Sequence, residues 1–167
     1  MKKFDQNHIA EKLSEKAIHE FVRSGRPLSI GNDIVEVQRI ARLMDRRGSH
    51  FIERCFTATE IDYCRSKNNP AVHFAGRWAA KEAVYKALQL KWNRPFSWKE
   101  IEIAPAGPAG NPGPPKVNFT NKLRDSLSMA AGAESVAQPR ILVSISHCSN
   151  YAFATALALY DEVEEGP

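Results

Sequence analysis

Residues 74–88 run Phe74-Ala-Gly-Arg-Trp-Ala-Ala-Lys-Glu-Ala-Val-Tyr-Lys-Ala-Leu88, a segment with the pattern of a central packed helix. At about 100° per residue, Ala79, Ala80, Ala83 and Ala87 fall together as a strip of small side chains, while Phe74, Trp78, Val84, Tyr85 and Leu88 form a large apolar stripe. Two faces of a helix are therefore committed to packing. Arg77 and Lys81 lie one turn apart on one boundary and Glu82 and Lys86 one turn apart on another, so four charges stand beside surfaces that demand burial. On an exposed helix the Glu82–Lys86 spacing would contribute only about 0.2–0.5 kcal/mol. This helix lacks the clean polar face on which such a pair belongs, and its charges point to a site.

Working toward the N-terminus, Pro70 suits the first turn of this helix, which is expected to continue to about Leu90. Thr57-Ala-Thr-Glu60 has the spacing of a capping box and predicts a short helix from there to about Lys67. From Val37 to Arg47, Ile40, Leu43 and Met44 share one helical face and Arg39, Arg42 and Arg46 another, with Gly48 as the expected stop. Leu28–Val37 carries β-branched residues around Gly31-Asn32-Asp33 and reads as a strand. Before it, Ile9, Leu13, Ala17 and Phe21 predict an amphipathic helix over residues 3–23, ended by Gly25 and Pro27.

Toward the C-terminus, Trp98–Ala104 alternates imperfectly as a strand, and residues 104–115, dense in Pro and Gly, are expected to be a connecting loop. Lys116–Phe119 reads as a strand, and Thr120 as the cap of a helix through Met129. Arg140–Ser146 and Tyr151–Tyr160 read as a hairpin about His147-Cys-Ser-Asn150.

A length of 167 residues suits one domain with a real core. The net charge of +4 fits an anionic ligand or partner without requiring nucleic acid. Cys55, Cys64 and Cys148 show no metal-type pairing, and no apolar run approaches the roughly 20 residues of a membrane span. The expectation is a cytoplasmic protein with reduced thiols and no membrane or nucleic-acid partner. Acidic residues near the N-terminus (Asp5, Glu11, Glu15, Glu20) argue against a transit peptide.

Three patches carry chemistry. Asp33 is a carboxylate among Ile30, Ile34, Val35 and Val37, where burial is costly unless it is paired or binds a metal. Glu82 and Lys86, with Arg77 and Lys81 a turn earlier, form the second. In the third, Val143-Ser-Ile-Ser-His147, alternation puts Ser144 and Ser146 on one face and Val143 and Ile145 on the other. The strained Gly-x-Ser-x-Gly elbow of many serine hydrolases is absent, as are Walker, kinase and dinucleotide motifs. Two carboxylates on separate elements suit Mg²⁺, which favours oxygen and shares its shell with substrate phosphates. The surrounding cations suit a pyrophosphate, and phosphoryl transfer is the reaction class that fits.

Ile30-Gly-Asn-Asp-Ile-Val-Glu36 with Arg39-Ile40, Phe51-x-x-Arg54, Phe56-Thr-x-x-Glu60, Phe74 to Ala83 with Lys86-Ala87, and Val143 to His147 follow one another in an order that resembles the holo-acyl-carrier-protein synthases, the small 4′-phosphopantetheinyl transferases. The resemblance spans roughly residues 28–160. It implies an α/β (α+β) fold, an antiparallel sheet packed with helices, assembled as a homotrimer with active sites between subunits. The domain is then residues 28–167, preceded by a helical extension over 1–27.

The implied reaction moves phosphopantetheine from coenzyme A to a serine of apo acyl carrier protein and releases adenosine 3′,5′-bisphosphate. By motif position Asp33 and Glu82 are the implied Mg²⁺ ligands, and Lys86 faces the pyrophosphate and can protonate the leaving phosphate. Arg77, Lys81 and His147 are candidates for holding the phosphates of coenzyme A. Glu82 or a metal-bound water takes the serine proton, a choice left open. Arg39, Arg42 and Arg46 are placed to meet an acidic carrier protein. Asn32 and Cys148 depart from the family pattern without removing an implied ligand. Two rivals stand beside this reading: another coenzyme A-dependent transferase, and a basic non-enzymatic adaptor for an acidic partner.

Overall fold

The alanine strip finds its counterpart on a strand. The computed structural model describes residues 28–90, 96–106, 113–130 and 139–160; the expected helix over 3–23 lies outside them. In chain order the elements are β1 (Leu28–Glu36), α1 (Val37–Cys55), α2 (Ala58–Arg65), α3 (Pro70–Ala87), a 3-10 turn (Trp98–Glu100), β2 (Ile101–Ala106), β3 (Gly113–Phe119), α4 (Asn121–Ala130), β4 (Arg140–His147) and β5 (Tyr151–Leu159). Strands β1, β5 and β4 form an antiparallel sheet in that order, and β2 pairs with β3 in a second one.

Helix α3 lies across the three-stranded sheet. Ala79, Ala80, Ala83 and Ala87 are wholly buried, as are Ala152, Ala154, Ala156 and Ala158 of β5. Small side chains on both surfaces let the helix axis approach the sheet closely. Gly31 on β1 takes that approach to its limit: a Cβ there would sit 2.1 Å from the Ala83 carbonyl oxygen and 2.5 Å from the Ala87 nitrogen. The other side of α3 meets aromatic rings, with Phe74 and Trp78 against Phe56, and Tyr85 against Phe96 and Trp98. A helix packed on both sides is buried nearly all round, as its two apolar faces require.

The capping box before α2 is complete: the Thr57 hydroxyl accepts from the Glu60 amide, and Glu60 Oε2 accepts from the Thr57 amide at 2.8 Å. Pro70 opens α3. Three expectations change. Gly48 (φ 51°, ψ −138°) kinks α1 rather than ending it, and helix resumes to Cys55. Trp98–Glu100 is a 3-10 turn because Ser97 and Glu100 cap it reciprocally, so β2 starts only at Ile101. The sequence assigned to a loop from 104 supplies the end of β2 and the start of β3, leaving 107–112 outside the described residues. A two-stranded ribbon is all edge, and Pro105 sits in a register shift between Ala104 and Ala106, where its missing N–H breaks no regular ladder.

Candidate active site

Residues 31 and 33 point to the same face of β1, so the close seat at Gly31 carries Asp33 over the last two turns of α3. Asp33 Oδ1 accepts from Lys86 Nζ at 2.8 Å, and the same ammonium donates to the Asn32 carbonyl at 3.0 Å. The Asp33 side chain is only 17% exposed, whereas Lys86 is 49% exposed. Glu82 stands one turn before Lys86. Burial pushes its carboxyl above the usual range, the charge of Asp33 pushes it further, and Lys86 and Arg39 pull it back. Two carboxylates close enough to repel, with a half-exposed ammonium beside them, suit a hard divalent cation. No group of three or more His, Cys, Asp or Glu side chains forms a metal site among the described residues. A cation here would complete its shell with water and substrate oxygens, as Mg²⁺ does.

Lys81 departs from the expected role. Its ammonium is wholly buried, 2.8 Å from Glu60 Oε2, and donates also to the Trp98 and Ile101 carbonyls. Three N–H groups meet three acceptors, so none remains for a coenzyme A phosphate. Burial holds this ammonium below the usual lysine range, and the Glu60 carboxylate offsets part of that shift. Glu60 Oε1 accepts from the Ile103 amide at 2.9 Å. The pair thus ties α2, α3 and β2 together beneath the site.

Arg77 and His147 do come together, in a second cluster. Both line a cavity of about 180 Å³ with Tyr63, His73 and Pro105, and His147 also lines a cavity of about 560 Å³ with Lys67, His73 and Cys148. Asp33, Glu82 and Lys86 line neither cavity. The Arg77 guanidinium lies 3.7 Å from the Tyr63 ring centroid and is 5% exposed, and its Nε has no hydrogen-bond partner. A buried guanidinium with an unmet N–H calls for an anion. Burial drives the nearby Cys64 thiol up to about 12, and the positive charge of Arg77 offsets part of that rise.

Arg39, Arg42 and Arg46 are exposed along α1, as their spacing implied. Arg42 pairs with Glu36 at 3.6 Å, and Arg39 adds to the field at Glu82. The sequence reading missed Tyr63, Lys67 and His73. A signal for His73 existed, since it precedes Arg77 by four residues and so shares its helix face.

The family model described as the 4′-phosphopantetheinyl transferase superfamily matches residues 29–124. The chain is 40% identical over 130 residues to the holo-[acyl-carrier-protein] synthase of Protochlamydia amoebophila, covering 78% of this chain and 96% of that protein. It is 35% identical over 132 residues to the one from Chlamydia pneumoniae, covering 79% and 97%. The solved Chronobacterium ammoniagenes ACPS–CoA complex superposes with a TM-score of 0.65 at 29% identity, covering 81% of this chain and 99% of that one. The Helicobacter pylori holo-[acyl-carrier-protein] synthase in complex with coenzyme A gives a TM-score of 0.61, also at 29% identity, covering 77% and 98%.

Proposed function

From the premise that this chain belongs to the 4′-phosphopantetheinyl transferase superfamily, as an enzyme of the holo-[acyl-carrier-protein] synthase type, we propose that it transfers the 4′-phosphopantetheine of coenzyme A to a serine of an apo acyl carrier protein, with Mg²⁺ at Asp33 and Glu82. The observation that carries this reading is the junction of β1 and α3, where Asp33, Glu82 and Lys86 converge beside the close packing at Gly31.

In this mechanism the serine oxygen attacks the β-phosphorus of coenzyme A. The bond from that phosphorus to the bridging oxygen breaks, and adenosine 3′,5′-bisphosphate leaves. Mg²⁺, when bound, neutralises charge on the pyrophosphate. Lys86, whose ammonium is oriented by Asp33 and the Asn32 carbonyl, adds a second positive charge and delivers a proton to the leaving phosphate. Glu82 in its ionised form is a ligand and a candidate acceptor for the serine proton, with water as the alternative. Arg77 and His147 hold a phosphate of coenzyme A away from the reacting centre. Exposed Arg39, Arg42 and Arg46 receive the acidic carrier protein.

Assembly as a homotrimer accounts for two features. The sheet face turned away from α3 exposes Ile30 (62%), Ile34 (63%), Tyr151 (51%) and Phe153 (43%), a contiguous apolar surface that calls for cover. The phosphate cavities also lie apart from the Asp33–Lys86 junction, an arrangement that suits a site completed between subunits. The transferase domain is taken as residues 28–167, with 1–27 a preceding extension. A cytoplasmic setting suits its three free thiols.

The test is incubation with coenzyme A, Mg²⁺ and apo carrier, read by intact-protein mass spectrometry. The carrier should gain one phosphopantetheine on serine. No gain would overturn the proposal and leave the adaptor reading, for which Asp33→Ala and Glu82→Ala should be silent.

A further inference from the structure

The cluster around Tyr63 contains more positive charge than the proposed reaction has used. Tyr63 carries two cations on its ring, Arg77 at 3.7 Å and Lys67 at 4.4 Å from the centroid. His73 meets the Tyr63 ring edge-on at 6.0 Å and the His147 ring at 5.4 Å. Both imidazoles line both cavities, and the smaller also takes Arg77. Among the described residues no carboxylate lines either one. Four basic groups from α3, the end of β4 and the segment after α2 thus converge without a counter-charge, and the buried Arg77 Nε is unsatisfied.

We propose that His73, set against His147, is a positioning residue for coenzyme A that takes up a proton when the dianionic phosphomonoester enters, so that the site favours coenzyme A over the same molecule lacking that phosphate. The inference rests on the reading of Arg77 and His147 as phosphate contacts. The groups facing His73 are Tyr63 from α2, Lys67 just after it, Arg77 from its own helix, and His147 with Cys148 from the end of β4. Burial first and then His147, Arg77 and Lys67 hold His73 below its usual value, so it is neutral at pH 7.5. A dianion set among these cations reverses the balance and favours the imidazolium. The packing that places His73 against His147 also limits the directions in which the second ring can turn.

The experiment is calorimetric binding of coenzyme A and of dephospho-coenzyme A at pH 7.5, in two buffers of different ionisation enthalpy, paired with steady-state kinetics from pH 7 to 8.5. A phosphomonoester is already mainly dianionic there. The wild type should take up a proton with coenzyme A only, and its KM for coenzyme A should rise with pH, by at most about tenfold per unit for one proton. His73→Phe keeps a ring in the packing but cannot be protonated. It should lose most of the proton uptake, flatten the KM profile and leave kcat within about twofold, since the group acts away from the reacting atoms. His73→Gln provides the same test should the Phe variant fail to fold.

Wild-type proton uptake and KM profile in a folded His73 variant would overturn the role of His73. In that case a His147→Gln protein that no longer prefers coenzyme A would leave the phosphate assignment standing. Equal binding of the two ligands by the wild type would overturn both. Absence of any transfer would instead remove the underlying function.

Discussion

Breaking the buried Lys81–Glu60 pair should cost the protein much of its stability without touching the chemistry. Both side chains are fully buried, and the Glu60 carboxylate receives Lys81 Nζ, the Thr57 amide and the Ile103 amide. In Glu60→Gln the new amide nitrogen must face one of those donors, and the Lys81 charge loses its counter-ion. Lys81→Met leaves the carboxylate charge uncompensated and takes a donor away from the Trp98 and Ile101 carbonyls. Removal of one partner from such a pair costs about 3–5 kcal/mol, which applies to each single substitution. The double variant removes both charges, and the side-chain amide introduced at position 60 can turn toward the vacated carbonyls. Its loss should fall short of the sum of the singles by about 2 kcal/mol or more. Urea unfolding of the four proteins at one protein concentration and pH 7 measures this cycle. Additive losses, or a loss under about 1 kcal/mol for either single, would refute the buried-pair account. A lysine that held coenzyme A would behave oppositely, with KM rising and the unfolding midpoint unmoved.

Other outcomes follow from the same geometry. Gly31→Ala drives a Cβ into the backbone of α3 at Ala83 and Ala87 and should cost about 3 kcal/mol or more; an unchanged melting temperature would contradict the proposed seat of Asp33. Glu82 keeps its proton in the folded state to a pH above the usual 4.5, so its ionisation costs stability as pH rises through that window, and the cost is present at neutral pH. Without divalent cations at pH 7, Glu82→Gln should therefore melt higher than the wild type while losing transfer, and added Mg²⁺ should raise the melting temperature of the wild type only. Gln89, just past α3, adopts φ 52°, so Gln89→Gly should gain roughly 0.5–1 kcal/mol in chemical denaturation even after losing its 3.3 Å contact to Ser29.

Local rules were legible where neighbours in sequence supply all the partners. Thr57 and Glu60 close their capping box, Pro70 starts α3, and the Arg140–Tyr160 hairpin forms with Val143 and Ile145 turned inward. The helix over 74–88 announced two packed faces because alanines and large apolar residues divide its circumference. Asp33, Glu82 and Lys86 could be chosen as candidates by residue type and motif position. Their convergence rests on the pairing of β1 with β5 and on the bare backbone at Gly31, contacts between residues far apart in the chain.

Tertiary structure alone separated the charges on that helix. Lys81 and Lys86 are alike in the sequence, but the first turns toward β2 and meets Glu60 in the interior, while the second stays half exposed over Asp33. Arg77 parts from both, toward Tyr63, His73 and His147. Sequence determined that four charges must lie against buried surfaces, because the apolar pattern left no wholly solvated face. Which charge would be neutralised within the fold and which left facing a cavity was decided by the elements packed against each side, since a charge is tolerable in the interior only where carbonyls and a carboxylate from distant strands and helices arrive to meet it.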